Sequence, residues 1–271
     1  MAVATTNTID LDSPDDVALA DRMKGGRDKI VSELRKAIVG QDDVVNEVLL
    51  TLFVGGNSLI VGVPGLAKTL LIHTLARVLD LKFNRIQFTP DLMPSDITGT
   101  DIIQEDAATG RRQMTFAPGP IFTNILLADE VNRAPAKVQS ALLESMQERQ
   151  VTIGGETHRL PDLFLVLATQ NPLEHEGTYP LPEAQVDRFL FKLIVTYPSR
   201  SEEREIIDRM TDQAEPTTRV VIHPDRVLRA REIVRGLYVD GKIKEYVLDL
   251  VAATRAPDEW NLKDLVGLVQ F

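Results

Sequence analysis

The chain has 271 residues, 44% hydrophobic and 26% charged, with a formal net charge of −10. That length supports one large domain, or a large one with a small companion, and the acidic balance argues against non-specific polyanion binding as the main activity. With no cysteine there is no disulfide, thiolate metal site or cysteine nucleophile, which fits a cytoplasmic location; no apolar run approaches a membrane span, and the polar start lacks the basic and apolar regions of a signal peptide.

Residues 1–15 are polar and acidic and read as a disordered tail. Apolar residues then recur at helical spacing over 17–37, and Asp42-Asp43 opens a second expected helix over 42–52. Gly55-Gly56-Asn57 turns the chain into a short apolar run, Leu59-Ile60-Val61.

The next stretch is Gly62-Val63-Pro64-Gly65-Leu66-Ala67-Lys68-Thr69, and a helical run over 70–79, starting at Leu70, follows it. Strand, glycine-rich loop, Lys-Thr and helix form the layout in which backbone N–H groups and a helix N-terminus cradle a phosphate. Lys68 would reach the β- and γ-phosphates of a nucleotide, and the Thr69 hydroxyl would ligate Mg²⁺. Ala67 stands where the pattern G-x-x-x-x-G-K-[ST] has its second glycine, and because a Cβ disfavours positive φ, negative φ is expected there. A plain Gly/Pro turn leaves Lys68 unexplained, since a cation at a helix start opposes the helix dipole unless an anion is bound.

A second strand is expected over 83–88. The polar segment 89–115 is too long for a plain connection and reads as a functional insertion. Within it, 102–104 and 113–116 suggest a hairpin whose tip carries Arg111 and Arg112. The continuous apolar run 124–128 suits a central parallel strand, and it ends in Asp129-Glu130. Ligands gather at the carboxyl ends of such strands. There Asp129 can hold Mg²⁺, directly or through water, and Glu130 can polarise an attacking water; an acidic pair capping the next helix is the plainer reading.

Pro135 opens an expected helix through Gln147, and Gly154-Gly155 marks a hairpin over 151–157. A further buried strand over 163–168 ends in Thr169-Gln170-Asn171-Pro172. Asn171 can orient water or contact a γ-phosphate without adding charge, or serve only as a turn residue before Pro172. A loop follows, then a last strand over 189–195, preceded by Asp187-Arg188. Arg188 is either half of a surface ion pair or a cation supplied to a neighbouring subunit's nucleotide. Beyond Tyr197-Pro198 the segments 199–211, 224–237 and 240–255 read as helices without intervening strands. The fold class is therefore α/β, five strands in a parallel sheet followed by a small all-helical unit. His73, His158, His175 and His223 match no zinc spacing and are read as structural or exposed.

Together, the 62–69 loop, Leu126-Leu127-Ala128-Asp129-Glu130-Val131-Asn132-Arg133-Ala134-Pro135, the 168–172 run and Glu176-Gly177-Thr178-Tyr179-Pro180-Leu181-Pro182-Glu183-Ala184-Gln185-Val186-Asp187-Arg188-Phe189 resemble the MoxR group of AAA+ ATPases. The resemblance runs from Ile38 onward, and an alanine at position 67 is a form the group often shows. It implies a P-loop AAA+ core over 16–197 and a helical lid over 198–271. Lys68 and Thr69 become the Walker A pair, Asp129 and Glu130 the Walker B pair, Asn171 sensor 1, and Arg188 an arginine finger acting in trans. Val39-Gly40-Gln41 matches the segment near the adenine, 89–118 the helix-2 insert, and 150–160 the pre-sensor hairpin; in such rings both tend to face the central channel. The group implies ATP and Mg²⁺ as cofactors, hexameric homo-oligomers, chaperone-like remodelling, and partners with von Willebrand factor A domains. Its second sensor arginine lies in a Gly-Ala-Ser-Pro-Arg-Ala type segment that does not occur in this sequence, and Arg255 is not expected to replace it, so the lid is expected to be incomplete. Two other functions fit the core. One is a nucleic-acid motor, disfavoured by the net charge and by 5% aromatic content; the other is a nucleotide-gated scaffold with negligible turnover.

Overall fold

The computed structural model describes residues 16–105, 112–173, 177–211 and 216–268. The expected tail at 1–15 and the expected tip residue Arg111 lie outside them. Helices α1 (Asp16–Leu34) and α2 (Asp42–Val54) precede β1 (Ser58–Val61) and α3 (Lys68–Val78). Then come β2 (Phe83–Gln87), α4 (Pro94–Thr98), β3 (Gly99–Glu105), β4 (Arg112–Pro118), β5 (Ile125–Asp129) and α5 (Ala136–Glu148). A hairpin of β6 (Gln150–Ile153) and β7 (Glu156–Arg159) leads to β8 (Leu165–Gln170), α6 (Glu183–Val186) and β9 (Phe191–Ile194). Helices α7 (Arg200–Thr211), α8 (Pro224–Gly236) and α9 (Gly241–Arg255) follow.

Five strands form one parallel sheet in the order β2-β5-β8-β1-β9. Burial follows that order. Central β5 and β8 are buried along nearly their whole length, which is why they read as continuous apolar runs, whereas edge strands β2 and β9 are only partly covered. Phe88, Ile97, Leu126, Leu142 and Phe164 form part of a core between the sheet and the α4–α5 layer. Each such side chain contributes about 1.5–3 kcal/mol on leaving water.

The insertion is a short helix followed by a hairpin longer than expected, paired from Gly99↔Pro118 to Glu105↔Arg112. Helix α4 starts with Pro94, and the Asp96 carboxylate accepts from Met93 N–H at 2.7 Å. The hairpin leaves the domain through a narrow neck. A Cβ on Gly119 would lie 2.4 Å from Gly99 N and from Ile97 O, and one on Gly99 (φ 94°) would lie 2.3 Å from Ala117 O. Only glycine allows that backbone approach. Arg112 at the far end pairs with Glu105 (Nε–Oε2 3.3 Å), so its charge is partly answered within the hairpin.

The β6–β7 turn has Gly154 and Gly155 at φ 60° and 88°, the left-handed pair that a tight hairpin favours. His158 on β7 stacks on Phe116 of β4, ring centroids 3.8 Å apart, which joins the two hairpins and gives this histidine a packing role. His73 packs edge-on against Phe83, and His223 Nδ1 sits 2.9 Å from Asp80 Oδ2. The segment before the last strand, expected as a loop, contains the one-turn helix α6 behind Pro182.

Two compact units divide between Glu232 and Ile233. Helix α7 begins with a capping box: Ser199 N–H donates to Glu202 Oε2 at 2.6 Å, and Glu202 N–H to Ser199 Oγ at 3.4 Å. Arg209 then donates to the carbonyls of Arg35 and Lys36, and Arg231 of α8 donates to Leu52 O, all within the first unit. The second unit holds the end of α8, all of α9 and a 3₁₀ turn at Lys263–Leu265. Asp240 caps α9 by accepting from Lys242 N–H at 2.8 Å. Ile243, Tyr246, Val247 and Leu250 form an exposed stripe along it at helical spacing. No helix among the described residues is long and apolar enough to cross a membrane.

Candidate nucleotide site

Strand order assembles the site. β8 lies between β1 and β5, so the carboxyl ends of all three stand side by side: Val61 pairs with Gln170, and Ala128 with Ala168. The Thr169 hydroxyl donates to Asp129 Oδ1 and accepts from Glu130 N–H at 2.9 Å, tying β8 to the end of β5. Loop 62–69, Asn171 and Asp129-Glu130 thus share one edge of the sheet.

Gly62 is a packing glycine, because a Cβ there would lie 2.9 Å from Val195 O. Gly65 has φ 87° and open space around its Cβ position, leaving its face of the loop free for a ligand. Ala67 corrects the sequence expectation: its φ is 55°, left-handed, at the residue that caps α3. Its carbonyl accepts from Leu71 N–H at 2.9 Å, so the conformation starts the helix. An alanine there costs about 1–2 kcal/mol, the Cβ–carbonyl crowding that glycine avoids. Ala67→Gly exchanges that cost for glycine's larger chain entropy, so its thermal midpoint should stay within ~2 °C of the parent's. Ala67→Val should lower nucleotide affinity about tenfold or more, because a β-branched residue resists positive φ. Thermal melts and equilibrium nucleotide titrations check both.

Lys68 Nζ donates to Gly62 O and, at 2.8 Å, to Val63 O. Burial pulls its pKa below the ordinary lysine value, while the charges of Asp129 and Glu130 hold it up. The ammonium is therefore within electrostatic reach of both carboxylates. Pro64 and Ala67 are exposed, Leu66 and Thr69 half-buried, and Leu70 is exposed on the first turn of α3.

Asn171 is buried, and its Oδ1 accepts from Leu173 N–H at 3.1 Å. It thus shapes the turn before Leu173 and also stands at the end of β8. Gly40 and Gln41 have φ 66° and 59°; Gln41 Nε2 donates to Thr196 O at 3.3 Å, and a Cβ on Gly40 would strike the Glu202 carboxylate. Val39-Gly40 therefore lies beside the start of α7, next to the loop that leaves β9. Arg188 is exposed and donates to Leu143 O of α5 at 3.1 Å.

Four polar residues that the sequence reading did not single out surround the acidic pair. Arg85 Nε donates to Asp129 Oδ2 at 3.0 Å, and Gln87 Nε2 to Glu130 Oε2 at 2.7 Å. Arg133 donates to Glu130 Oε2 at 3.0 Å, and Thr169 completes the set. Glu130 itself has φ 57°, a strained position for a non-glycine residue. The available signal was period two: Arg85 and Gln87 share one face of β2. It gains meaning only when β2 is known to lie beside β5.

The donor set suits a hard cation. The Thr69 hydroxyl and Asp129 carboxylate are oxygen ligands of the kind Mg²⁺ takes alongside phosphate and water. Among the described residues no three or more His, Cys, Asp or Glu side chains gather into a metal-holding group, so a protein-only cage is not what this edge offers.

The sequence profile of the ATPase family associated with various cellular activities (AAA) matches residues 57–191. The chain is 51% identical over 244 residues to Chaperone MoxR1 of Mycobacterium tuberculosis, covering 90% of this chain and 63% of that protein. It is 30% identical to Protein MoxR of Methylorubrum extorquens, covering 90% and 73%. A solved structure from Cytophaga hutchinsonii assigned as an ATPase superposes with a TM-score of 0.80 at 46% identity, covering 92% of this chain and 75% of that one.

Proposed function

The chain belongs to the MoxR family of AAA+ ATPases, and from that premise we propose that it hydrolyses ATP with Mg²⁺ to drive chaperone-like remodelling of a protein client in a ring of identical subunits. The observation that carries this reading is the convergence of Lys68, Asp129 and Glu130 at one sheet edge, with Asn171 between the loop and the acidic pair. Backbone N–H groups of the 62–69 loop would hold phosphate, and Lys68 would offset charge that develops at the γ-phosphoryl group. Thr69 and Asp129 would hold Mg²⁺, which supplies charge neutralisation across the phosphates. Glu130 would orient and deprotonate water for in-line attack, and Asn171 would hold that water or the phosphate without adding charge. Arg188 sits on the surface, where a neighbouring subunit's site can take it. Val39 and Gly40 line the adenine side.

A hexamer, a von Willebrand factor A domain partner and a cytoplasmic location belong to the same proposal; the chain spans 63% of the length of the relative MoxR1. Phosphate release measured against chain concentration tests it. Turnover per subunit should rise cooperatively with concentration and vanish on chelation of Mg²⁺. A flat, near-zero rate with retained ATP affinity would support a nucleotide-gated scaffold instead.

A further inference from the structure

We infer that Gln139 is the positioning residue of Arg188: its buried amide clips the segment that carries Arg188 to the acidic turn of the same subunit, and so sets where that cation is presented to the next one. The inference deepens the ATPase reading and rests on Arg188 acting in trans. Gln139 lies near the start of α5 and is 1% exposed. Its Nε2 donates to Val131 O at 3.2 Å, to Ala134 O at 3.1 Å and to Tyr179 O at 3.0 Å. Carbonyls on every side of that nitrogen fix which end of the amide is which, because an amide oxygen cannot face them. Val131 and Ala134 stand at the two ends of the 3₁₀ turn that follows Glu130, whereas Tyr179 belongs to the segment before α6. Tyr179 N–H donates back to Asn132 O at 2.6 Å, so its backbone is held on one side by the turn and on the other by Gln139.

From Tyr179 the chain is stiff as far as Arg188. Pro180 and Pro182 have a fixed φ, Leu181 and Phe189 are buried in the core, and Val186 N–H donates to Pro182 O at 3.1 Å across α6. Arg188 then donates to Leu143 O, one turn of α5 beyond Gln139. The segment is thus strapped along α5 at two points, and the point at Gln139 is shared with the acidic turn. Removing the amide withdraws a donor from three carbonyls and frees the near end of the strap. β5 meanwhile keeps its pairing with β2 and β8, and Glu130 N–H keeps its bond to Thr169. Loss of Gln139 therefore falls on the presentation of Arg188 more than on the subunit's own site. Misplacing a charge-stabilising group by about 1 Å costs about a hundredfold in rate.

Two measurements on the 271-residue chain test it. Gln139→Met keeps the length and bulk of the side chain and donates nothing. Amide hydrogen exchange across 177–189 should then speed up about tenfold or more, with 125–128 unchanged. Parent-like exchange across 177–189 overturns the inference. Complementation between Lys68→Ala and Arg188→Ala chains reads the direction of the effect. Placed in the Lys68→Ala chain, which donates Arg188, Gln139→Met should cut the activity of the mixture about tenfold or more. Placed in the Arg188→Ala chain, which donates the working site, it should change that activity by less than about threefold. Equal losses in the two placements, or a larger loss in the second, overturn the inference and leave the trans role of Arg188 standing. A mixture that is silent even without Gln139→Met overturns both. Gln139→Asn keeps the amide and shortens its reach; it should give smaller shifts of the same sign, and it serves both measurements if the Met variant melts early.

Discussion

Glu130→Gln should lower steady-state ATP turnover by about 10²–10⁴-fold and leave ATP affinity within a few-fold of the parent. The amide fills the same space at the end of β5 and can still accept from Arg133, so the loop geometry persists. It cannot take a proton from water, which removes the base and little else. Phosphate release and equilibrium binding on the same preparation check the two halves of the expectation. Parent-like turnover in this variant would take Glu130 out of the chemistry and leave it as a helix-entry residue at φ 57°.

Arg188→Ala should reduce turnover of the assembled protein by about 10³–10⁵-fold. Nucleotide affinity of the dilute chain should not change, because Arg188 spends its donor on Leu143 O of its own α5 and stands exposed. Losing that bond costs about 1 kcal/mol of stability, too little to unfold the domain. Mixing provides the sharper measurement. A complete site needs Lys68 from one subunit and Arg188 from the next. Inactive Arg188→Ala and Lys68→Ala chains should therefore regain activity when combined. Mixtures that stay silent while each variant still assembles would rule out a finger acting in trans.

Much of this site is legible in the chain because its parts are local. The 62–69 loop announces itself by the strand before it and the Lys-Thr after it. Asp129-Glu130 is visible as the charged end of an apolar run, and the sheet follows from the long burial of β5 and β8. The Ala67 dihedral was misjudged for a definable reason: residue preference disfavours positive φ, and the helix it starts overrides that preference. The contacts of Arg85 and Gln87 with the acidic pair are illegible for a different reason. They depend on β2 lying beside β5, and nothing in either segment states its neighbour. The short helices α4 and α6 were hidden by their prolines, which read as loop punctuation but sit at helix starts. The helical segments after β9 were found as helices, yet their grouping depended on long-range bonds such as that of Arg231 to Leu52 O.

The glycine neck at the foot of the β3–β4 hairpin gives the insertion a mechanical advantage. Because Gly99 and Gly119 bring the backbone into close contact there, the base has little room to shear, and the hairpin is geared to α4, which packs on both β3 and α5. A β-strand of this length extends about 20 Å, so a tilt of about 5° at the neck carries the far end about 2 Å. Helix α5 begins just beyond the turn that carries Glu130. A small rotation at the neck therefore moves the hairpin's far end further than it moves the packed base. Bulkier residues at the neck would prop the foot open and loosen the hairpin's coupling to α4.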